Sequence, residues 1–228
     1  MAASSMKDIK VRIRSVENTM HITKAMELVA SSKLVRAKKR LETTKTFFDI
    51  LQNTLVDIMK NNKDLSSVYT KKQKSDKVCL VVIAGDRGLA GGYNNNVLKA
   101  ANEIILENKC CIVPVGKKAV DYFERRGAEI LNGNYASVED VDVADCYTLG
   151  SFLANEFARG SFGRLYLVYT EFVSMLSQEP RAIKVLPFDV NGEGKAAHAL
   201  TRYEPSAEAV FNEVVLQYIS GLLYGAVA

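Results

Sequence analysis

Residues 8–58 read DIKVRIRSVENTMHITKAMELVASSKLVRAKKRLETTKTFFDILQNTLVDI, and neither glycine nor proline occurs before Gly85. A four-three spacing runs unbroken through Ile9, Ile13, Val16, Met20, Thr23, Glu27, Ala30, Leu34, Ala37, Leu41, Thr44, Phe48, Leu51, Leu55 and Ile58, and twelve of these fifteen positions are apolar. A heptad sustained this far predicts a coiled-coil helix rather than a globular one. At 1.5 Å per residue it would be roughly 75 Å long, more than a compact domain needs. Such a helix requires a partner along its seam and suits a shaft, strut or lever. Glu27 is the one acid in the seam. Its burial would be costly without a partner, so the seam is expected to be locally open there or to touch another chain.

The charge of this stretch narrows the partner. Residues 7–46 hold seven lysines and four arginines against Asp8, Glu17, Glu27 and Glu42, a net +7 in a chain that totals only +4. The bases, among them Lys10, Arg12, Arg14, Lys24, Lys33, Arg36, Lys38, Lys39 and Arg40, fill the faces outside the seam. Three readings stand: a solvated face, a nucleic-acid or membrane contact, or a fit to an acidic protein surface.

At 228 residues, 48% hydrophobic and 25% charged, the chain fits one or two folded domains. It has no uninterrupted apolar run of eighteen residues, which argues against a transmembrane helix. MAASSMKDIK lacks a secretory hydrophobic core and an arginine-rich amphipathic presequence, and Met6 is an alternative start. Cys79, Cys110, Cys111 and Cys146 form no CxxC pair, so buried reduced thiols are expected ahead of a metal site.

From residue 78 the pattern changes. Val78–Ile83 and Cys110–Val115 are continuous apolar runs that suit strands buried on both faces. Arg164–Phe172 is a third strand, Ala182–Leu186 an edge strand, and Ala128–Leu131 a short one. Helices are expected over 97–107, 117–126 and 148–159, with Gly127 and Gly160 as stops. The alternation predicts an α/β fold: a Rossmann-like layered domain with a largely parallel sheet, plus long N- and C-terminal helices forming a coiled-coil shaft. The expected divisions are a coiled-coil helix (1–60), a flexible linker (61–76), the α/β domain (77–188), a loop (189–204) and the start of a C-terminal helix (205–228), opened by Pro205 and Ser206.

Catalytic chemistry finds little footing. GDRGLAGGYNNN (85–96) follows a strand and precedes a helix, as a phosphate cradle would. Its glycines at 85, 88, 91 and 92 do not make GxGxxG, and no GK[ST] follows. A tight turn or a protein-contact loop is the stronger reading, with a Rossmann-like nucleotide-binding or redox enzyme as the alternative. The two histidines, His21 and His198, are isolated, and no GxSxG or HExxH motif occurs. No catalytic residue, cofactor or metal site is assigned.

Asp8–Arg40 contains IRSVxNTxxITKAMxxVAxxKLxRA, which closely resembles the N-terminal helix of the gamma subunits of rotary ATP synthases. GDRGLAGGYN resembles the family's second block, SDRGLCGGFN, with Gly85 for serine and Ala90 for cysteine, and TRYEP (201–205) resembles the entry to its last helix. The match runs in order through the whole chain. The resemblance implies a non-catalytic central-stalk rotor that couples ion-driven rotation of the membrane c-ring to ATP synthesis or hydrolysis on beta subunits. The implied partners are the hexameric ring of alpha and beta subunits, the epsilon subunit and the c-ring, with no nucleic acid and no small-molecule substrate. By motif, Thr23, Lys24, Ala25 and Met26 would meet acidic lever loops of beta, with Lys33, Arg36 and Lys38 adding complementary charge. Asp86, Arg87 and Gly88 would serve contact or folding. Tyr203, Glu204 and Pro205 would lie at the foot, near epsilon and the c-ring. These 228 residues hold no match to the family's long C-terminal helix, as expected of a truncated chain or of a variant without half its coiled coil, nor to the cysteine insert of its chloroplast members. The isolated seam is therefore expected to be flexible or to pair with another chain. A peripheral position on the cytoplasmic face of a bacterial plasma membrane follows as an expectation.

Overall fold

The computed structural model describes residues 5–62, 64–189 and 201–228, with the backbone alone at Arg40, Leu41, Thr43 and Lys45. The loop expected over 189–204 lies mostly outside the described residues, as does His198. The chain divides into two compact units, one up to Thr43 and one over Thr44–Val227.

Helix α1 (Met6–Asn61) starts at a reciprocal cap. The amide of Ser5 donates to Asp8 Oδ2 (3.1 Å) and the amide of Asp8 to Ser5 Oγ (3.4 Å), satisfying two amides that the first turn leaves orphaned. In the first unit the seam is open: Ile9, Ile13, Val16 and Met20 are 44%, 53%, 62% and 60% exposed. In the second unit it is covered, with Leu51, Leu55 and Ile58 buried.

The second unit is a three-layer sandwich. Strands β1 (Val78–Ile83), β2 (Cys110–Val115), β3 (Arg164–Phe172) and β4 (Gln178–Leu186) form one sheet in the order β2-β1-β3-β4. β1 pairs parallel with β2 and β3, and β4 closes the edge antiparallel to β3. Alternation along β1 sends Val78, Leu80 and Val82 to one face and Cys79, Val81 and Ile83 to the other. The first face is covered by α2 (Tyr93–Glu107) and α3 (Lys117–Glu124) through Val97, Leu98, Ala101, Ala119 and Phe123. The second receives α4 (Val143–Ala158), α5 (Ala207–Val227), and Leu55 and Ile58 of α1. By length and composition α5 is apolar enough to cross a membrane, and one side of it, through Phe211, Val215, Ile219 and Leu223, is buried in this core. The coiled-coil expectation is met only in part: Phe48 of α1 stacks on Tyr218 of α5, with ring centroids 4.9 Å apart.

Several expected boundaries move, each for a local reason. α4 begins at Val143, five residues before the expected start, because Asp142 and Asp145 form a capping box. α2 begins at Tyr93 rather than Val97, since Asn94 serves the preceding loop through its side chain while its backbone is already helical. β4 begins at Gln178 and contains Pro180, whose missing donor is tolerated on an edge strand. The strand expected over 128–131 is reduced to one bridge, Ile112 to Ile130. The stretch read as a flexible link contains a 3-10 turn (Val68–Thr70) in which Ser67 and Tyr69 are buried. Ser67 Oγ donates to Asn212 Oδ1 of α5 (2.6 Å).

α4 and α5 cross closely at Gly150. A Cβ there would stand 2.5 Å from Ser220 Oγ and 3.2 Å from the Ser220 nitrogen. Gly150→Ala is expected to destabilise the second unit by about 1–3 kcal/mol through overpacking. Adding Ser220→Ala should recover part of that loss. Urea unfolding midpoints of the single and double variants check both effects, and an unshifted Gly150→Ala midpoint would contradict the packing account.

Candidate coupling surfaces

Thr23, Lys24, Ala25 and Met26 lie on one turn of α1, all exposed. Thr23 Oγ1 donates to the Thr19 carbonyl and Thr19 Oγ1 to that of Ser15, both at 2.9 Å. Each hydroxyl is thereby turned onto its own helix, and the threonines present methyl groups outward. The seam acid Glu27 is exposed and pairs with Lys24 at 3.0 Å. At this exposure the pair adds little stability, and a partner can exchange it for its own carboxylate. Arg36 and Lys33 are also exposed on this stretch.

In the second unit, Asp86 is a structural hub. Its Oδ1 accepts from the amides of Lys117 (2.9 Å) and Val138 (3.0 Å), and its Oδ2 from the Glu139 amide (3.1 Å) and the Ser137 hydroxyl (3.3 Å). It joins the end of β1, the start of α3 and the loop before α4. Burial pushes its pKa up, but the donated hydrogen bonds outweigh burial and hold the carboxyl below its ordinary value. Gly116, with φ of +89°, lets the turn into α3 pass under β1, where a Cβ would fall 2.0 Å from the Ala84 carbonyl oxygen.

These contacts occupy several backbone amides at the end of β1 and the start of α3. The Gly85 amide donates to Asn94 Oδ1 (2.8 Å), and Asn94 Nδ2 donates to the Arg87 carbonyl (3.1 Å). At the start of α3, the Lys117 amide is taken by Asp86 and the Lys118 amide by the Gly85 carbonyl (3.1 Å). A carboxylate stands where an incoming anion would bind. Arg87 reaches Glu139 at 3.2 Å, and beyond it the loop faces outward. A Cβ on Gly88 would meet nothing, and Leu89 is 96% exposed at φ of +61°.

Tyr203 is half-buried against the core, while Glu204 and Pro205 are exposed, with Arg202 3.6 Å from Glu204. Ser206 caps α5 by accepting the Ala209 amide (3.1 Å).

Comparison with known proteins decides what this arrangement belongs to. The ATP synthase family model matches residues 5–228. A Ruminococcus albus protein described as an ATP synthase gamma chain is 42% identical over 229 residues, covering 98% of this chain and 80% of the relative. An Alkaliphilus metalliredigens protein of the same description is 38% identical, covering 97% of this chain and 79% of the relative. The chain belongs to the ATP synthase gamma family. It is accordingly a rotor subunit of ATP synthase. In fold it is similar to a chain of the Tetrahymena thermophila mitochondrial ATP synthase central stalk and c-ring structure, at TM-score 0.65 and 23% identity over 90% of each chain.

Three of the four free thiols, Cys79, Cys111 and Cys146, are buried. Burial pushes Cys110 up to about 11 and Cys146 up to about 12, and raises Cys79. Cys111 alone is lowered, by its contact with the Cys79 thiol, and it is almost fully buried. The motif residues Asp86, Arg87 and Gly88 share one loop. Their supports, Asn94, Gly116 and Ser137–Glu139, escaped sequence reading, and only the asparagine run after Gly91–Gly92 was a signal.

Because the folded carboxyl of Asp86 titrates lower than the unfolded one, its stabilisation is present above the unfolded pKa and lost as pH falls through the folded value. Asp86→Asn is expected to cost about 1–3 kcal/mol at neutral pH. It should also flatten part of the acid limb of stability against pH. Unfolding midpoints measured from neutral pH into the acid range would show both. An unchanged acid limb would count against the hub.

Proposed function

We propose that this gamma-family chain is the non-catalytic shaft on which the catalytic ring of ATP synthase is timed, with α1 enclosed by alternating alpha and beta subunits. One observation carries this reading. Met20, Ile22, Met26, Leu28, Val29 and Val35 are each more than half exposed, yet at 100° per residue they point to all sides of the helix. Exposed apolar side chains on every side, interspersed with bases, suit a sleeve of partner chains better than a single partner helix along one seam. The bases between these residues, Lys24, Lys33, Arg36 and Lys38, ask for an acidic lining.

Thr23, Lys24, Ala25 and Met26 are the proposed contact with acidic lever loops of beta, reinforced by Lys33 and Arg36. The loop carrying Asp86, Arg87 and Gly88 is proposed as a second contact, with Asp86 shaping it and Arg87 and Gly88 outward. Tyr203, Glu204 and Pro205 are proposed to lie toward epsilon and the membrane c-ring, on the cytoplasmic face of a bacterial membrane. The mechanism is linkage. A shaft that touches three chemically equal sites unequally favours a different conformation at each, and turning it moves those preferences round the ring. ATP chemistry then belongs to beta, and rotation driven by the ion gradient sets its order.

Co-expression with the alpha and beta chains of the same organism tests this. A complex that survives gel filtration and hydrolyses ATP only with this chain present is the expected result. Lys24→Glu should lower turnover severalfold without dissociating the complex. Full turnover without this chain would overturn the assignment.

A further inference from the structure

Two asparagines in the chain precede glycine, Asn132 and Asn191, and Asn191 lies outside the described residues. Asn132 and Gly133 sit in the loop between the Ile112–Ile130 bridge and α4, outside helix and strand. Asn132 is partly buried and Gly133 is exposed. The Asn134 amide donates to Asn132 Oδ1 at 3.0 Å, which folds the side chain back along the backbone that follows it. The Gly133 amide donates to no group among the described residues. A Cβ on Gly133 would meet only Ile130 Cγ2, at 3.6 Å, so the nitrogen is approachable.

These features favour one reaction. Asparagine is a thermolabile side chain, and it is lost fastest where the next backbone nitrogen can reach its carboxamide carbon. Glycine, without a Cβ, hinders that approach least. From this geometry we propose that Asn132 and Gly133 form a self-modifying site, and that its product loosens the Asp86 hub. The Gly133 nitrogen gives its proton to solvent and attacks Asn132 Cγ, forming a C–N bond. The charge that develops on Oδ1 faces the Asn134 amide, a donor already in place. The Cγ–Nδ2 bond then breaks, and Nδ2 leaves as ammonia with a proton from solvent. A cyclic imide remains. Water adds to one of its two carbonyls and breaks that carbonyl's bond to the Gly133 nitrogen. Opening at Cγ gives aspartate, and opening at the main-chain carbonyl of residue 132 gives isoaspartate. Overall a water is consumed and an ammonia released, with no oxidation or reduction.

Isoaspartate routes the main chain through Cβ and Cγ, which adds a carbon between two fixed points. On one side the Leu131 amide donates to the Ile112 carbonyl (2.9 Å), and on the other the Tyr135 carbonyl accepts the Gly116 amide (2.8 Å). Just beyond, Ser137, Val138 and Glu139 supply three of the four donors to Asp86. A longer link shifts those donors against the carboxylate. The modification belongs to the folded second unit and is independent of the shaft's partners.

Time courses of the folded full chain and of a synthetic peptide LNGNYA (131–136) in the same mildly alkaline buffer test the site. Proteolytic fragments containing position 132 should gain the mass of exchanging NH2 for OH, and a methyltransferase specific for isoaspartate should label them. The folded chain should convert within severalfold of the peptide's rate. Gly133→Ala should slow conversion severalfold and leave the urea midpoint unmoved, because its Cβ stands at an ordinary contact distance. A folded chain that keeps its amide while the peptide converts would overturn the site. Protein enriched in isoaspartate should unfold at a lower urea midpoint. Asn132→Asp, which carries the charge on an unaltered backbone, should not. An unshifted midpoint in the enriched fraction, or an equal shift in Asn132→Asp, would overturn the link to the hub.

Discussion

The structure depends on how little of α1 the described residues cover. Leu51, Leu55 and Ile58 enter the core shared by β1, α4 and α5, and that burial fixes the helix to the folded domain. From Ile9 to Met20 the same seam stays open, with about half of each apolar residue in water. Burying a full Ile or Leu side chain contributes about 1.5–3 kcal/mol, so the open seam represents a large unrealised association energy. A partner can collect it, and the second unit must be firm enough to resist the strain that follows.

That firmness comes from close packing. The space left between the sheet and α4 and α5, lined by Val81, Leu153, Leu167 and Ile219 among others, is a cavity of about 10 Å³, at most one water. The crevice that a Rossmann-like sheet leaves where its strand order turns is closed as well. Asn94 takes the Gly85 amide and Asp86 the Lys117 amide. A fold that elsewhere binds cofactors here holds two loops in fixed relation, and the chemistry that would have met a ligand has become internal bracing.

The strands β1 and β2 were legible because buried parallel strands are continuous apolar runs, and each begins and ends where its run does; β3 was legible from its β-branched and aromatic residues, although it opens on Arg164 and runs on through Thr170 and Glu171. Helix starts were less so. The Asp142–Asp145 capping box was present in the sequence, but two aspartates three apart are common enough to pass unnoticed. The asparagines after Gly92 read as loop because their propensity opposes helix, yet they sit in the first turn. The candidate site residues were legible as motif, not as geometry. Asp86 binds amides more than fifty positions away at Val138 and Glu139, and no local spacing encodes such a partnership. Glu27 is the reverse case. Its oddness in the seam was visible, and the structure resolves it by leaving the carboxylate in water beside Lys24.

The two threonines at positions 19 and 23 bear on friction. Their hydroxyl protons are already committed to the carbonyls one turn back, so neither threonine has a donor left to offer a passing surface. On the shaft reading proposed above, a partner that turns against these positions meets two fewer donors that could hold it at one angle, and the oxygens remain only as acceptors.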